Sequence, residues 1–377
     1  MSREAMTCQQ VTPADQGSNP CSPTFSFCGV LCGVSRKQTG THLNDTPRPR
    51  CMVRIDDAVR QAGTHAFSLE VLPPEQFSEL PAYLEKIDRM VARGPAFITV
   101  TYHQAQVRII RENGIRRVEE KQDRVGSDRT AIALQWRYTS VPAVPHLICG
   151  GFTKEETERA LVQLPPYGVE NVMCLRGDPN HGRVFIPHPQ GHAHADGLVA
   201  QVRAMARGSY IKERDIEPFA FCIGVAGYPE GHYESPNLRA DLEWTAAKIT
   251  AGADFVITQL CFDTDAIVCY RNLLCRELAH RGMPEVPVIP GLKVVTRARQ
   301  LHGENGLPAR FLIRAPDDLV ERMNATDERG QREIGLQWMV AQEERLYAEG
   351  FKVVHLYTLN RPGDVLPALD ALGFHAP

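Results

Sequence analysis

The sequence predicts an α/β protein folded as a (β/α)8 (TIM) barrel, and three observations carry that prediction. Eight short apolar runs rich in β-branched residues recur from residue 65 onward, helical patterns separate them, and several of the runs stop at a polar or ionisable residue. Short apolar strands alternating with helices indicate parallel strands covered on both faces. A doubly wound sheet would open with a Gly-rich phosphate loop after an early strand, and none is present. Eight strand–helix units over about 310 residues match the closed barrel instead.

The strands are predicted at 65–71 (HAFSLEV), 96–101 (AFITVT), 144–149 (VPHLIC) and 170–175 (ENVMCL), then at 219–225 (FAFCIGV), 254–259 (DFVITQ), 286–289 (VPVI) and 352–357 (KVVHLY). Between them, helical periodicity covers 155–164 (EETERALVQL), 241–252 (DLEWTAAKITAG) and 330–350 (GQREIGLQWMVAQEERLYAEG). The last two stop at Gly252 and Gly350, residues suited to the left-handed turn that ends a helix. Two long connections stand out. Residues 102–127 read as a charged loop, and 179–196 (PNHGRVFIPHPQGHAHAD) as an irregular lid.

Residues 1–51 differ from the rest. They are rich in Pro, Ser, Thr, Gly and Gln without sustained periodicity, and they predict a disordered or loosely attached extension. The catalytic barrel is assigned to 52–377, with a first helix just after Met52. The extension holds Cys8, Cys21, Cys28, Cys32 and Cys51, but the spacings of seven and four between Cys21, Cys28 and Cys32 match no paired knuckle. Cys149, Cys174, Cys222, Cys261 and Cys269 lie singly in apolar runs and read as buried thiols of a reducing compartment. His181, His188, His192 and His194 lack a zinc-binding spacing, so no metal site is expected.

Composition narrows the class of function. Apolar residues make up 43% of the 377, enough for a large core, while a net charge of -3 gives no electrostatic reason for a nucleic-acid partner. The basic stretch RENGIRR at 111–117 is interleaved with acids and reads as a solvated face. No run is long enough to span a membrane, and the N-terminus lacks the order of a secretory signal, so a cytoplasmic enzyme is expected.

Barrel enzymes gather their chemistry at the C-terminal ends of the strands. Glu70, Thr101, Tyr102, His146, Arg176, Asp178, Tyr228, Gln259 and Tyr357 would line that mouth. Glu70 and Asp178 are the most pointed of these, because a carboxylate against an apolar core is costly unless it is used or paired. The bland alternatives are an ion pair of Glu70 with Arg176 and a helix-capping or loop hydrogen bond for Asp178.

The pieces FSLEVLPP, FITVTYH, PHLICGGFTKEET, LRGDP, FCIGVAGYPEGHYESPNLRADL, AGADFVITQLCFD, VIPGLK and HLYTLNRP occur in this order over about residues 65–362. In them the chain closely resembles the methylenetetrahydrofolate reductase family, particularly its short forms without a C-terminal regulatory domain. The resemblance implies a barrel that binds FAD, takes a hydride from NADH or NADPH, and passes it in a ping-pong sequence to 5,10-methylenetetrahydrofolate, giving 5-methyltetrahydrofolate for methionine synthesis. It implies Glu70 as general acid and Asp178 as the aspartate beside the flavin that also contacts the pterin. Thr101, Tyr102, His146, Arg176, Gly177, Asp178, Ala195, Tyr228, His232, Asp241 and Lys248 match flavin-binding positions, and Gln259, Gln300 and Arg361 match folate-binding ones. Asp241 and Lys248 are seven apart on a predicted helix and so share a face. A homo-oligomer is expected by the same analogy.

The chain departs from the family pattern in several places. His194, Ala195, Asp196 and Gly197 stand where Tyr-Ala-Ser-Asp is common, which bears on the adenosine end. Leu260 and Cys261 replace a bulkier pair, His103 follows Tyr102, and LHGENG offers no match for the phenylalanine that stacks on nicotinamide or folate. NADH and NADPH are not separated by these features. Three rival readings are a reductase of another pterin C1 carrier, a flavin-independent reductase, and a non-catalytic binding barrel.

Overall fold

The structure is a computed structural model that describes residues 53–376 apart from 64, 105, 113–114, 122–123, 180–184 and 213–214. The extension over 1–51 and its cysteines therefore lie outside the described residues, as does His181. By contacts the chain divides into Met1–Pro49 and Arg50–Pro377, and the barrel belongs to the second unit.

Helix α1 (Ile55–Gln61) leads into β1 (Ala66–Val71), α2 (Leu80–Val91) and β2 (Ile98–Val100). A hairpin, β3 (Gln106–Glu112) and β4 (Ile115–Lys121), precedes α3 (Ser127–Arg137), β5 (Ala143–Ile148), α4 (Lys154–Leu161) and β6 (Asn171–Leu175). Then come α5 (Ala195–Met205), β7 (Cys222–Gly227), α6 (Leu238–Thr250), β8 (Phe255–Leu260), α7 (Thr264–His280) and β9 (Val288–Leu292). The chain closes with α8 (Leu307–Phe311), α9 (Asp317–Asn324), α10 (Glu328–Ala348), β10 (Val353–Tyr357) and α11 (Pro362–Ala371). Eight strands form a closed barrel in the order β1-β10-β9-β8-β7-β6-β5-β2, and every barrel pairing is parallel.

Local chemistry sets the helix boundaries. Thr153 and Glu156 form a reciprocal capping box that starts α4. Asn237 accepts from the Ala240 N–H and starts α6 earlier than periodicity alone indicated, and Asp327 does the same for α10. Strand β9 runs on to Leu292, past the predicted end at 289, because its ladder is interrupted rather than finished. Pro290 has no N–H to donate, and the β8–β9 register shifts between Ile257 and Leu260.

The alternation of each strand splits the core in two. Outward residues such as Phe67, Leu69, Val172 and Val256 pack beneath the helices in one large cluster. Inward residues Phe97, Met173, Phe255 and Val353 fill the N-terminal end of the barrel, where Ile55 and Val59 of α1 plug it. Asn171 holds that plug with both ends of its amide, accepting from Ile55 N–H at 3.0 Å and donating to the Val53 carbonyl at 3.0 Å.

Two expectations need correction. The 102–127 connection is not all loop: β3 and β4 pair antiparallel from Gln106↔Lys121 to Glu112↔Ile115. The reading as a charged loop overlooked the β-branched residues among the charges and the Asn113-Gly114 dipeptide, a strong hairpin signal. Cys269, expected to be buried, is exposed, whereas Cys149, Cys174, Cys222 and Cys261 are buried.

Helix α10 buries a carboxyl. Glu343 is fully buried, and neither carboxyl oxygen meets a hydrogen-bond donor among the described residues. Burial raises its pKa to about 8. The folded chain therefore binds more protons here than the unfolded chain between the ordinary carboxyl range and pH 8, so this group's contribution to stability falls as pH rises through that window. Glu343→Met is expected to stabilise the fold, with a gain that grows from pH 5 to pH 8. Urea unfolding of both proteins at the two pH values checks it; a pH-independent difference would contradict it.

Candidate functional site

The C-terminal ends of the strands converge on one mouth, and its best-defined group is Glu70. Ser68 and Glu70 point inward from β1 while Phe67, Leu69 and Val71 face the helices. The Glu70 side chain is only 12% exposed. Burial raises its pKa to about 8, opposed by the positive field of Lys293, so the carboxyl is protonated at neutral pH. Its neighbour His146 lies 3.9 Å away and is held neutral, burial lowering its pKa to about 3. The alternative pair of Glu70 with Arg176 does not form; Arg176 bonds instead to Glu234.

The backbone around Glu70 is clamped from the turn that follows β10. Thr358 donates from Oγ1 to the Glu70 carbonyl at 2.7 Å, and Asn360 embraces Leu72, accepting from its N–H at 3.0 Å and donating to its carbonyl at 2.8 Å. Asn360 can do this because it adopts φ 56°, a left-handed conformation that Asn tolerates better than most residues. Asn360→Leu is expected to lose both bonds and strain the turn, lowering stability by about 2 kcal/mol. Thermal unfolding tests this, and an unchanged midpoint would contradict it.

Beneath the mouth lies a buried polar layer. His355 on β10 shares hydrogen bonds with Ser68 Oγ at 2.8 Å and Thr99 Oγ1 at 3.3 Å. Tyr357 donates to the Thr258 carbonyl at 2.8 Å, crossing over Gly291. A Cβ at Gly291 would stand 2.3 Å from the Thr258 carbonyl oxygen and 2.6 Å from the Tyr357 ring, so only glycine fits there.

On the β5–β7 side the predicted cofactor positions assemble. Arg176, at the end of β6, lies over the Phe185 ring at 4.8 Å. Tyr228 meets His232 edge-on at 4.7 Å, and Lys248 Nζ sits 6.0 Å from the Tyr228 ring centre while donating to the Ala226 carbonyl at 2.5 Å. Asp241 and Lys248 do share the inner face of α6, where each feels the other's charge. Burial lowers the Lys248 pKa to about 8 and raises that of Asp241. Ala195 opens α5, and the Asp196 carboxylate beside it also attracts Lys248. Asp178 is exposed past β6, and its charge reaches both Tyr228 and His103. Thr101 Oγ1 shares a hydrogen bond with His103 Nε2 at 3.1 Å, and Tyr102 packs edge-on against Phe152 at 5.6 Å.

These residues fit the amphipathic dinucleotide that the sequence resemblance implies. Asp241 Oδ2 and Gln104 Nε2 are buried without a hydrogen-bond partner among the described residues. Gly177 adopts φ +88°, which favours glycine, and a Cβ there would press on the Ile148 side chain at 3.2 Å. Arg176, His232 and Lys248 carry cationic or N–H donors of the kind that phosphate oxygens accept from.

The folate positions are less uniform. Gln259, inward on β8, accepts from the Leu260 N–H at 2.9 Å, so among the described residues its N–H donors remain for a ligand. Arg361 is exposed at the start of α11, close enough to Lys293 to oppose its charge. Gln300 is turned toward its own loop, its oxygen accepting from the Thr296 and Arg297 N–H groups at 2.7 and 2.8 Å. Sequence reasoning missed Lys293, Gln104 and Glu234. For Lys293 the signal was present, a lone lysine inside the apolar run VIPGLKVV.

Among the described residues no three His, Cys, Asp or Glu side chains converge as a metal-binding group, and no helix is long and apolar enough to cross a membrane. A family model described as methylenetetrahydrofolate reductase matches residues 54–373. A Caenorhabditis elegans protein named probable methylenetetrahydrofolate reductase (NADPH) is 31% identical over 317 residues, covering 81% of this chain and 42% of its own length. A Zea mays protein named methylenetetrahydrofolate reductase (NADH) 1 is 29% identical over 328 residues, covering 82% of this chain and 49% of its own. The chain thus spans about half the length of these curated relatives. A solved Clostridium thermocellum protein, described as binding two copies of 5-methyl-5,6,7,8-tetrahydrofolic acid, shares the fold at a TM-score of 0.53 and 13% identity, over 84% of this chain and 96% of its own.

Proposed function

Because the chain belongs to the methylenetetrahydrofolate reductase family, we propose that it reduces 5,10-methylenetetrahydrofolate to 5-methyltetrahydrofolate with FAD as cofactor and NADH or NADPH as reductant. The observation that carries this reading is Glu70: a carboxyl kept protonated at neutral pH by burial, at the barrel mouth that also holds Gln259 and Asp178. Arg176, His232, Asp241 and Lys248 would hold FAD through its polar and anionic parts, with Thr101, Tyr102, His146, Gly177, Ala195 and Tyr228 completing the site. The chemistry FAD supplies when bound is hydride acceptance from nicotinamide and hydride donation to folate, in alternation.

The protein's own part is positional and electrostatic. Glu70 holds a proton for the folate nitrogen that must leave the methylene bridge, and the bridge opens to an iminium as that nitrogen takes the proton. Asp178 places negative charge where the iminium develops. Gln259 offers amide donors to the pterin edge, Arg361 meets the folate farther out, and Gln300 has its N–H donors to give once its oxygen is spent on the loop. A methyl-carrying folate as product fits supply of methyl groups for methionine synthesis, and a cytoplasmic homo-oligomer is part of the same reading.

The test is turnover by the full chain loaded with FAD, given NADH or NADPH and methylenetetrahydrofolate, with the product identified by mass. Formation of 5-methyltetrahydrofolate is expected. A flavin-loaded protein that forms none with either nucleotide would overturn the proposal.

A further inference from the structure

Three adjacent strands bring Glu70, Tyr357 and Lys293 side by side at the mouth. Glu70 pairs with Tyr357 in the β1–β10 ladder, and Leu356 pairs with Leu292 in the β10–β9 ladder. Lys293 follows directly, and its Nζ donates to the Tyr357 carbonyl at 3.1 Å. The residue is only 7% exposed. The bond to Tyr357 is the one hydrogen bond of Nζ among the described residues and uses one of an ammonium's three donors; a buried ammonium is costly unless an anion uses it.

Two carboxyls attract Lys293, Asp364 on α11 more strongly than Glu70 on β1, while Arg361 before α11 and Arg310 on α8 oppose its charge. Asp364 is shared with Arg332 at 3.6 Å, which leaves the lysine incompletely neutralised. Glu70 in turn faces neutral His146 on β5, Tyr357 on β10 and Lys293, and of these Lys293 is the cation whose field it feels.

We propose that Lys293 is a positioning residue that acts through Glu70, its ammonium stabilising the carboxylate that Glu70 becomes on giving up its proton. This rests on the reading of Glu70 as the general acid. In that step the Glu70 O–H bond breaks and an N–H bond forms at the bridging nitrogen of the folate. The bond from that nitrogen to the methylene carbon then breaks, its electron pair going to the nitrogen, and the methylene carbon is left as an iminium cation. One negative charge thus appears on Glu70, beside Lys293, while the positive charge develops on the folate, where Asp178 is proposed to stand. The lysine favours the state after transfer over the state before it, which is what accelerates a proton transfer.

Lys293→Met and Lys293→Gln remove the charge, and the glutamine keeps a donor for the Tyr357 carbonyl. The folate-driven step in the wild type should fall at alkaline pH as Glu70 ionises. Burial also lowers the Lys293 pKa to about 8, so its charge acts on Glu70 at neutral pH and fades along the limb. In both uncharged variants the fall should therefore begin at higher pH, with the neutral-pH rate roughly five-fold lower. Lys293→Arg should restore most of both. An infrared titration of the Glu70 carboxylic acid band, assigned by its loss in Glu70→Gln, should move in parallel. It requires no turnover.

A limb and a band that stay put in folded, flavin-bearing Lys293→Met and Lys293→Gln would overturn the inference while leaving Glu70 as acid. If the alkaline limb instead survives in Glu70→Gln, Glu70 is not the acid, and both readings fall together.

Discussion

Glu70→Gln is expected to leave nicotinamide-driven bleaching of the bound flavin intact while folate-driven recovery slows by at least ~10²-fold. The amide fills the same space, so the clamp by Thr358 on the Glu70 carbonyl and the packing of β1 are retained. Only the transferable proton is lost. The same account fixes a pH dependence. With its pKa raised to about 8 by burial, Glu70 carries its proton through neutrality and loses it above that value. The folate-driven step of the wild type should therefore be flat near pH 7 and fall as pH rises past about 8, whereas the nicotinamide-driven step lacks this particular limb. Stopped-flow absorbance of the two half-reactions, taken separately across pH, checks both statements. An equal loss in the two half-reactions of Glu70→Gln would sink the assignment of Glu70 as acid.

Lys248→Met is expected to weaken FAD binding by ~10- to 100-fold, the range for losing a charged hydrogen-bond donor. The ammonium is held against the Ala226 carbonyl and between Asp241 and Asp196, so it is preorganised to meet an anionic group and has little freedom to lose on binding. A second readout is independent of flavin. Burial lowers the Lys248 pKa to about 8, so the folded apoprotein binds fewer protons at this site than the unfolded chain between pH 8 and the ordinary lysine range. Its contribution to stability accordingly rises with pH through that window, and Lys248→Met should lack that rise. Flavin titration by fluorescence and urea unfolding at pH 8 and pH 10 measure the two effects. Wild-type FAD affinity in the variant would contradict the placement of Lys248 in the cofactor site.

Much of the fold was legible because the barrel strands announce themselves. Runs such as AFITVT and DFVITQ are apolar on both faces, and the helices between them are amphipathic or well capped. Where the reading slipped, the cause was local chemistry outweighing pattern. Pro290 hid the continuation of β9, the charges of 106–121 masked a hairpin, and the apolar run AIVCY suggested a buried Cys269, whereas that position of α7 is exposed.

The site was legible in part. Glu70, Asp178 and Gln259 stand where strands end, and a residue at a strand end can be found from the sequence. Lys293 was not singled out although it interrupts the apolar run VIPGLKVV, because a lysine ordinarily reaches solvent; the pairing of β9 with β10, and of β10 with β1, places this one inside. That Asp241 Oδ2 is buried without a partner among the described residues is likewise a tertiary fact. The turned-in Gln300 oxygen depends on a short 3-10 turn that no periodicity announces.

The most direct test of the account is an anaerobic visible spectrum of the purified full chain, with NADH or NADPH added first and methylenetetrahydrofolate second. The account predicts a flavin spectrum that bleaches with the nucleotide and returns with the folate, both on the same protein-bound cofactor. A protein that shows no flavin spectrum even after FAD is supplied, or whose bleached spectrum the folate fails to restore, would contradict it.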